Sequence, residues 1–184
     1  MRNKEKEKGL WKTLASALSL NANFYENAPI NALTNRVAQT IVILAAISHA
    51  LGSWVVFIVN WTAISILPLA LLIDALSIVA GYYFWTLTIW RIGRWLRRNS
   101  PSYRELLIPI GFAYAPQVLN FLTLIPLLGE PIELILSVWS LLAVIVAVRQ
   151  GLDINTIWAT VISLLGWPLI QIAINFIQES WSRF

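Results

Sequence analysis

The chain of 184 residues contains no cysteine and a single histidine. Without cysteine it has no disulfide, no thiolate nucleophile and no cysteine-ligated metal, and one histidine excludes a site with several histidine ligands. The sequence also lacks a glycine-rich phosphate loop, a paired general acid and base, and a nucleophile triad. We therefore predict a protein that is not an enzyme, with no catalytic residue, no metal site and no cofactor.

Charged residues are scarce, at 12% of the chain, whereas 58% of the residues are hydrophobic and the mean hydropathy is +0.70. A soluble domain carries roughly 25% charged residues. The composition therefore excludes a soluble globular enzyme and a disordered chain, and it indicates an integral membrane protein whose first partner is the lipid bilayer. The net charge of +4 is attributed to membrane topology rather than to nucleic-acid binding.

Five long stretches with almost no charge are each typical of a membrane-spanning helix, which needs about 20 apolar residues. No alternating pattern indicates strands, so we predict an all-α polytopic transmembrane helix bundle over residues 37–178, followed by a short tail at 179–184. The fourth stretch has only 15 uncharged residues, about 22 Å of helix, and either spans the bilayer or dips into it and returns. The spans are placed at about 37–59, 62–88, 106–128, 132–148 and 155–178.

Basic residues mark one side of this bundle. With five spans, twelve of the thirteen lysine and arginine residues lie on the side of the N-terminus, which is therefore predicted to be cytoplasmic. The same count results if the fourth stretch only dips in, so it orients the first three spans alone. Nine of these residues form a predicted surface for anionic lipid or a protein partner: Lys4, Lys6, Lys8, Lys12, Arg91, Arg94, Arg97, Arg98 and Arg104. Five of the arginines lie in a predicted basic loop at residues 91–104. The tryptophans around this loop are interpreted as interfacial anchors: Trp85, Trp90 and Trp95.

Residues 1–36 form the longest polar stretch and are predicted to be a cytoplasmic arm and linker. A helical pattern of apolar residues predicts a short amphipathic helix lying in the membrane interface: Leu10, Trp11, Leu14, Ala17 and Leu18. A signal peptide is the alternative, but its apolar part would contain Lys12 and no cleavage site follows. Five asparagines and a proline between residues 21 and 35 are typical of a linker.

Asp74 is the sharpest feature inside the spans, because an ionised carboxylate there costs at least about 2.5–3.5 kcal/mol. It lies 12 residues after Thr62, and His49 lies 12 residues after Val37. Adjacent antiparallel helices therefore place both side chains at similar depth. The pair is either a proton-linked or substrate-orienting site, or a buried structural contact.

Other polar residues share single faces of predicted helices. We interpret them as interhelical hydrogen-bonding groups, with a polar conduit as the alternative. They are Tyr114, Gln117 and Asn120 on the third span, and Gln171, Asn175 and Gln178 on the last. Two pairs of small residues permit close helix approach inside the bundle: Ser48 with Gly52, and Ser77 with Gly81.

A tight turn is expected around Pro126, where Gly129 can supply a positive φ. Glu130 and Glu133 follow it at the start of the next helix, where carboxylates favour the helix dipole. This interpretation is preferred to metal binding, because two acids rarely form a dedicated cation site.

Short motifs in the second half of the chain carry a family resemblance: 99–107 (NSPSYRELL), 111–116 (GFAYAP), 125–129 (IPLLG), Trp139, 148–153 (VRQGLD) and 158–159 (WA). With them the chain resembles the Yip1 domain family of small five-span membrane proteins, in its prokaryotic branch, over about residues 36–178. The Asp-Leu-Tyr-Gly-Pro motif of eukaryotic members is missing, so their association with Rab GTPases and vesicle traffic is not carried over. The resemblance implies five spans and a cytoplasmic N-terminus, in the plasma membrane or an internal membrane of a prokaryotic cell.

Three functions are compatible with these features. The leading hypothesis is a non-enzymatic scaffold, assembly or trafficking-type factor that binds other membrane proteins. The second is a small proton-linked transporter or channel that uses Asp74, although no inverted repeat supports it. The third is an accessory subunit of a larger membrane complex.

Overall fold

The computed structural model describes residues 11–59, 67–96, 100–125 and 127–165, which are helical and contain no strand. The all-α prediction is thus confirmed for the described part of the chain. The elements are α1 (residues 11–18), α2 (Ala22–Glu26), α3 (Ala32–Val59), α4 (Leu67–Leu96), α5 (Tyr103–Phe112), a 3₁₀ helix (Ala115–Leu124), α6 (Gly129–Leu152) and α7 (Thr156–Leu165).

Four segments are long and apolar enough to cross a membrane, so the length and composition of its helices indicate a membrane-embedded protein. They correspond to the first four predicted spans. Of the predicted fifth span, the described part is α7, and residues 166–178 and the tail lie outside the described residues. The four segments are Ala32–Ser53, Leu67–Leu96, Tyr103–Leu124 and Gly129–Leu152.

The predicted linker at 21–35 is partly helical, because two of its asparagines start helices. The Asn21 side chain accepts a hydrogen bond from the backbone N–H of Asn23 at the start of α2. The Asn31 side chain accepts one from Thr34, at 2.8 Å, at the start of α3. Asparagine is among the best N-cap residues, since its oxygen satisfies a free N–H of the first turn. The stretch predicted as a linker therefore contains two helix starts.

The fourth span is longer than its uncharged stretch suggested. α6 contains 24 residues, about 36 Å of helix, which exceeds the roughly 30 Å hydrocarbon core. Glu130 in its first turn and Arg149 in its last both favour the helix dipole. The length predicted from the sequence was too short, because a count of uncharged residues alone leaves out both ends of this helix. α4 likewise continues to Leu96, so Arg91 and Arg94 lie on a helix and not in a loop.

The third span is a composite of two helix types and occupies the centre of the bundle. Of the residues in its most apolar stretch, 61% are buried in the protein, whereas only 6% are buried in the corresponding stretch of α4. α5 contacts α3, α4 and α6, and the 3₁₀ helix contacts α3 and α6. The predicted single helix at 106–128 was therefore wrong in this detail. Pro116 lacks the N–H that an α-helix would use at this point, and non-α backbone at membrane depth is tolerated where protein covers it.

Two glycines allow α3 and α5 to come close to their neighbours. A Cβ on Gly111 of α5 would lie 3.0 Å from the Cβ of Ala38 on α3. A Cβ on Gly52 of α3 would lie 2.9 Å from the backbone oxygen of Asn120 in the 3₁₀ helix. Ser48 and Gly52 thus serve internal packing, as predicted. Around Gly81 no atom lies within 4 Å of such a Cβ, so this glycine is not needed for close packing.

The turn before α6 differs from the expectation. No glycine in the described residues has a positive φ, and Leu127 instead adopts a φ of 67°. Gly129 allows a close backbone approach instead, since a Cβ there would lie 2.7 Å from the backbone oxygen of Thr123.

Candidate functional site

The structure brings His49 and Asp74 into contact. Nδ1 of His49 on α3 lies 3.0 Å from Oδ2 of Asp74 on α4. The Ser53 hydroxyl, one turn after His49, donates to the same Oδ2 at 3.0 Å. One carboxylate oxygen therefore holds two groups of α3, and we call these three residues the polar cluster.

The polar cluster is not sealed inside the protein. The side chain of His49 is 30% exposed and that of Asp74 is 18% exposed. On the outer face of α4, Leu72 and Leu76 are each 56% exposed. The cluster therefore lies between α3 and α4, whereas Leu72 and Leu76, each two residues from Asp74, are on the opposite face of α4. Asp74 is seven residues from Leu67, about 10 Å along α4.

A second set of hydrogen bonds links the 3₁₀ helix to α6. The Gln117 amide donates to the Ser140 hydroxyl at 2.9 Å, and the Asn120 amide donates to the Gln117 oxygen. Because a 3₁₀ helix has three residues per turn, Gln117 and Asn120 lie directly above each other. Tyr114, predicted on the same face, instead packs edge-on against Tyr82 with ring centroids 5.6 Å apart.

The 3₁₀ helix is also bound to α3 at the level of the polar cluster. The Ser48 hydroxyl accepts the backbone N–H of Phe121 at 2.8 Å. The Thr123 hydroxyl donates to the Asn120 backbone oxygen at 2.7 Å, beside Gly52. The first contact joins two helices, as the Gln117–Ser140 hydrogen bond does, and the second lies within the 3₁₀ helix.

Sequence reasoning missed two residues at these sites. Ser53 is four residues after His49 on one helix face, a spacing that would have indicated it. Ser140 carried no comparable signal, because its partner is on another helix. Among the described residues no group of three or more His, Cys, Asp or Glu side chains is arranged to hold a metal ion.

The predicted basic surface is only partly described. Lys12, Arg91, Arg94 and Arg104 are exposed, and the Arg94 guanidinium lies over the Trp90 ring at 5.0 Å. Outside the described residues lie Lys4, Lys6, Lys8, Arg97, Arg98, Gln171, Asn175 and Gln178.

The tryptophans near the predicted basic loop have different environments. Trp95 is 86% exposed, as expected of an anchor, but Trp85 is only 6% exposed. The interpretation of Trp85 as an interfacial anchor was wrong, because it packs into the core.

No protein-family model matches this chain, and no curated protein or solved structure is detectably similar to it. The resemblance to the Yip1 domain family therefore rests on the sequence motifs alone.

Proposed function

We propose that this chain is a non-enzymatic integral membrane protein of the Yip1 type, with five spans and a cytoplasmic N-terminus. It acts as a scaffold, assembly or trafficking-type factor that binds another membrane protein through the outer face of α4. The observation that supports this proposal is that only 6% of the residues in the most apolar stretch of α4 are buried in the protein.

The outer face of α4 is apolar, with Leu72 and Leu76 each 56% exposed. Both residues are two positions from Asp74 and so lie on the opposite face of the helix. A helix of a partner protein on this face would contact apolar side chains and not the polar cluster, so packing rather than hydrogen bonding would supply most of the affinity.

Photo-crosslinking in native membranes tests this proposal. We expect a photoreactive residue at Leu72, on the exposed face of α4, to give a discrete adduct with one protein. Leu142 on α6 is 46% exposed and is the matched control, which should give only diffuse lipid adducts. Identical patterns at the two positions would contradict the proposal. An accessory subunit of a complex would give an adduct with that complex.

Proton-linked transport is the second candidate, and the observation that favours it is the His49–Asp74 contact at 3.0 Å. A carboxyl and an imidazole in contact within a membrane segment are able to exchange a proton, and their partial exposure allows access. Proton flux measured in proteoliposomes tests this candidate. Asp74→Asn should abolish flux, whereas Glu130→Gln, which changes an exposed carboxyl in the first turn of α6, should not. Equal flux in both variants would eliminate the candidate.

A further inference from the structure

Contacts between α3 and the 3₁₀ helix fix the depth of the polar cluster in the bundle. The Ser48 hydroxyl accepts the Phe121 backbone N–H at 2.8 Å. One turn further along α3, a Cβ on Gly52 would collide with the Thr123 hydroxyl. Ser53, the serine of the polar cluster, directly follows Gly52 and is therefore level with the last turn of the 3₁₀ helix.

The start of α6 lies at the same level. Gly129 is the first residue of α6, and a Cβ there would lie 2.7 Å from the Thr123 backbone oxygen. Thr123 thus contacts both α3 and α6, so Ser53 lies within about one helix turn of the start of α6. His49 lies one turn further into the bundle, and Asp74 is hydrogen-bonded to both of these residues.

The first turn of α6 marks one boundary of the membrane. α6 has 24 residues, about 36 Å of helix, which is more than the roughly 30 Å hydrocarbon core. Glu130 and Glu133 near its start are exposed, and a carboxylate within the hydrocarbon is costly. This end of α6 therefore lies at the lipid headgroups, and the end that carries Arg149 lies at the opposite boundary.

A separate count along α4 gives the same position. Asp74 lies 17 residues before Arg91, about 25 Å of helix, which is most of the roughly 30 Å core. Residues 75–90 between them contain no Asp, Glu, Lys, Arg or His. The polar cluster is therefore far from the basic residues and close to the other boundary.

Apolar side chains separate the polar cluster from the basic side. On α3, the next inward-facing residues are Ala45, Val42 and Ile41, of which none is more than 2% exposed. On α4, Tyr82 is fully buried, and its hydroxyl donates to the Leu107 backbone oxygen at 2.7 Å. A proton at the cluster therefore meets no carboxylate or imidazole along α3 or α4 in this direction.

We infer that water and small ions reach the polar cluster from the side of the membrane opposite the basic residues, and from that side only. This position explains why His49 and Asp74 are 30% and 18% exposed, because polar side chains of membrane proteins usually face protein or water. The inference deepens the proton-linked candidate by naming the side from which the proton arrives. It rests on the proposed membrane crossing, but not on transport or on a partner protein.

Cysteine accessibility tests the inference, because the chain has no cysteine of its own. Full-length single-cysteine variants are treated with a charged, membrane-impermeant methanethiosulfonate in sealed vesicles of both orientations prepared from the expressing cells. Ser53→Cys places the thiol in the polar cluster. Glu130→Cys marks the start of α6, Arg94→Cys marks the basic side, and Leu142→Cys, 46% exposed on α6, marks the hydrocarbon.

We expect Ser53→Cys and Glu130→Cys to react in vesicles of one orientation, Arg94→Cys to react in the other, and Leu142→Cys to react in neither. If Ser53→Cys stays unreactive, or reacts together with Arg94→Cys, the inference is overturned while the membrane crossing stands. Reaction of Glu130→Cys and Arg94→Cys in the same orientation would overturn the membrane crossing, and the inference with it.

A measurement on the unmodified protein keeps the test decisive if Ser53→Cys does not fold. His49 is the single histidine of the chain, so deuterium uptake at the imidazole C2 position reports on this residue alone. We expect uptake by the reconstituted protein in heavy water, with the chain unfolded in dodecyl sulfate as the reference. A histidine that takes up no deuterium while the reference exchanges fully would overturn the access of water to the cluster.

Discussion

Replacing Gly52 by alanine should loosen the contact between α3 and the 3₁₀ helix. An added Cβ would collide with the Thr123 hydroxyl and lie 2.9 Å from the backbone oxygen of Asn120. The Thr123 side chain is able to rotate away, but it would then lose its hydrogen bond to that same oxygen. The backbone oxygen itself moves only if the whole 3₁₀ helix shifts.

Gly81 on α4 is the matched control, because a Cβ there has no neighbouring atom within 4 Å. Alanine is favoured over glycine inside a helix by about 0.5–1 kcal/mol, and both variants gain this. Overpacking costs about 1–3 kcal/mol, and only Gly52→Ala pays it. We therefore expect Gly52→Ala to be less stable than Gly81→Ala by about 1–3 kcal/mol.

Reversible unfolding in mixed micelles of a mild detergent and dodecyl sulfate, followed by tryptophan fluorescence, measures this difference. The Gly52→Ala midpoint should fall below that of the unmodified protein, and the Gly81→Ala midpoint should equal or exceed it. Coincident midpoints for the two variants would refute the close approach of α3 and the 3₁₀ helix.

Three further predictions concern single contacts. Ser48→Ala leaves the Phe121 N–H without its acceptor, so the free energy of unfolding in the same assay should fall by about 1–3 kcal/mol; an unchanged value would show that water or another group replaces the hydroxyl. Leu127→Gly should not destabilise the protein and should gain about 1 kcal/mol, since Leu127 is 99% exposed at a φ of 67°; a lower midpoint would argue against that backbone conformation. Trp139→Phe removes the donor to the Leu18 oxygen, so protease should cleave residues 11–26 faster in detergent while the midpoint for the bundle changes little; equal cleavage rates would show that this hydrogen bond does not hold residues 11–26 against α6.

Local signals in the sequence predicted most helices, and several available ones went unused. Ser102 and Glu105 form a capping box at the start of α5, with the Ser102 N–H donating to the Glu105 carboxylate at 2.8 Å. That spacing predicts a helix from Tyr103, three residues before the predicted start of the third span. Asn21 and Asn31 are caps of the same kind. These boundaries depend on neighbours in the chain, so sequence reasoning was able to find them.

The contact between His49 and Asp74 was predictable for a related reason. His49 stood 10 positions before the end of its predicted span at residue 59, and Asp74 stood 12 positions after the start of the next at residue 62. Antiparallel helices joined by a short loop bring similar distances from that loop to similar depth. No comparable spacing rule predicted the other polar contacts between the helices. Ser140 reaches Gln117 from another helix at 2.9 Å, and that partnership depends on how the helices rotate and tilt.

Composition and hydropathy by themselves indicated a membrane-embedded protein and predicted the helices seen in the described residues, because the cost of burying charge and of leaving backbone groups unpaired in lipid acts on each segment separately. Only the tertiary structure decided which surfaces those segments hide. It divided the third span into α5 and a 3₁₀ helix at the centre, buried Trp85, and turned Leu14 and Ala17 toward the core. An apolar side chain is about as favourable in lipid as inside the protein, so hydropathy alone does not show which of the two it contacts. Packing between the helices decides which side chains are buried in the protein.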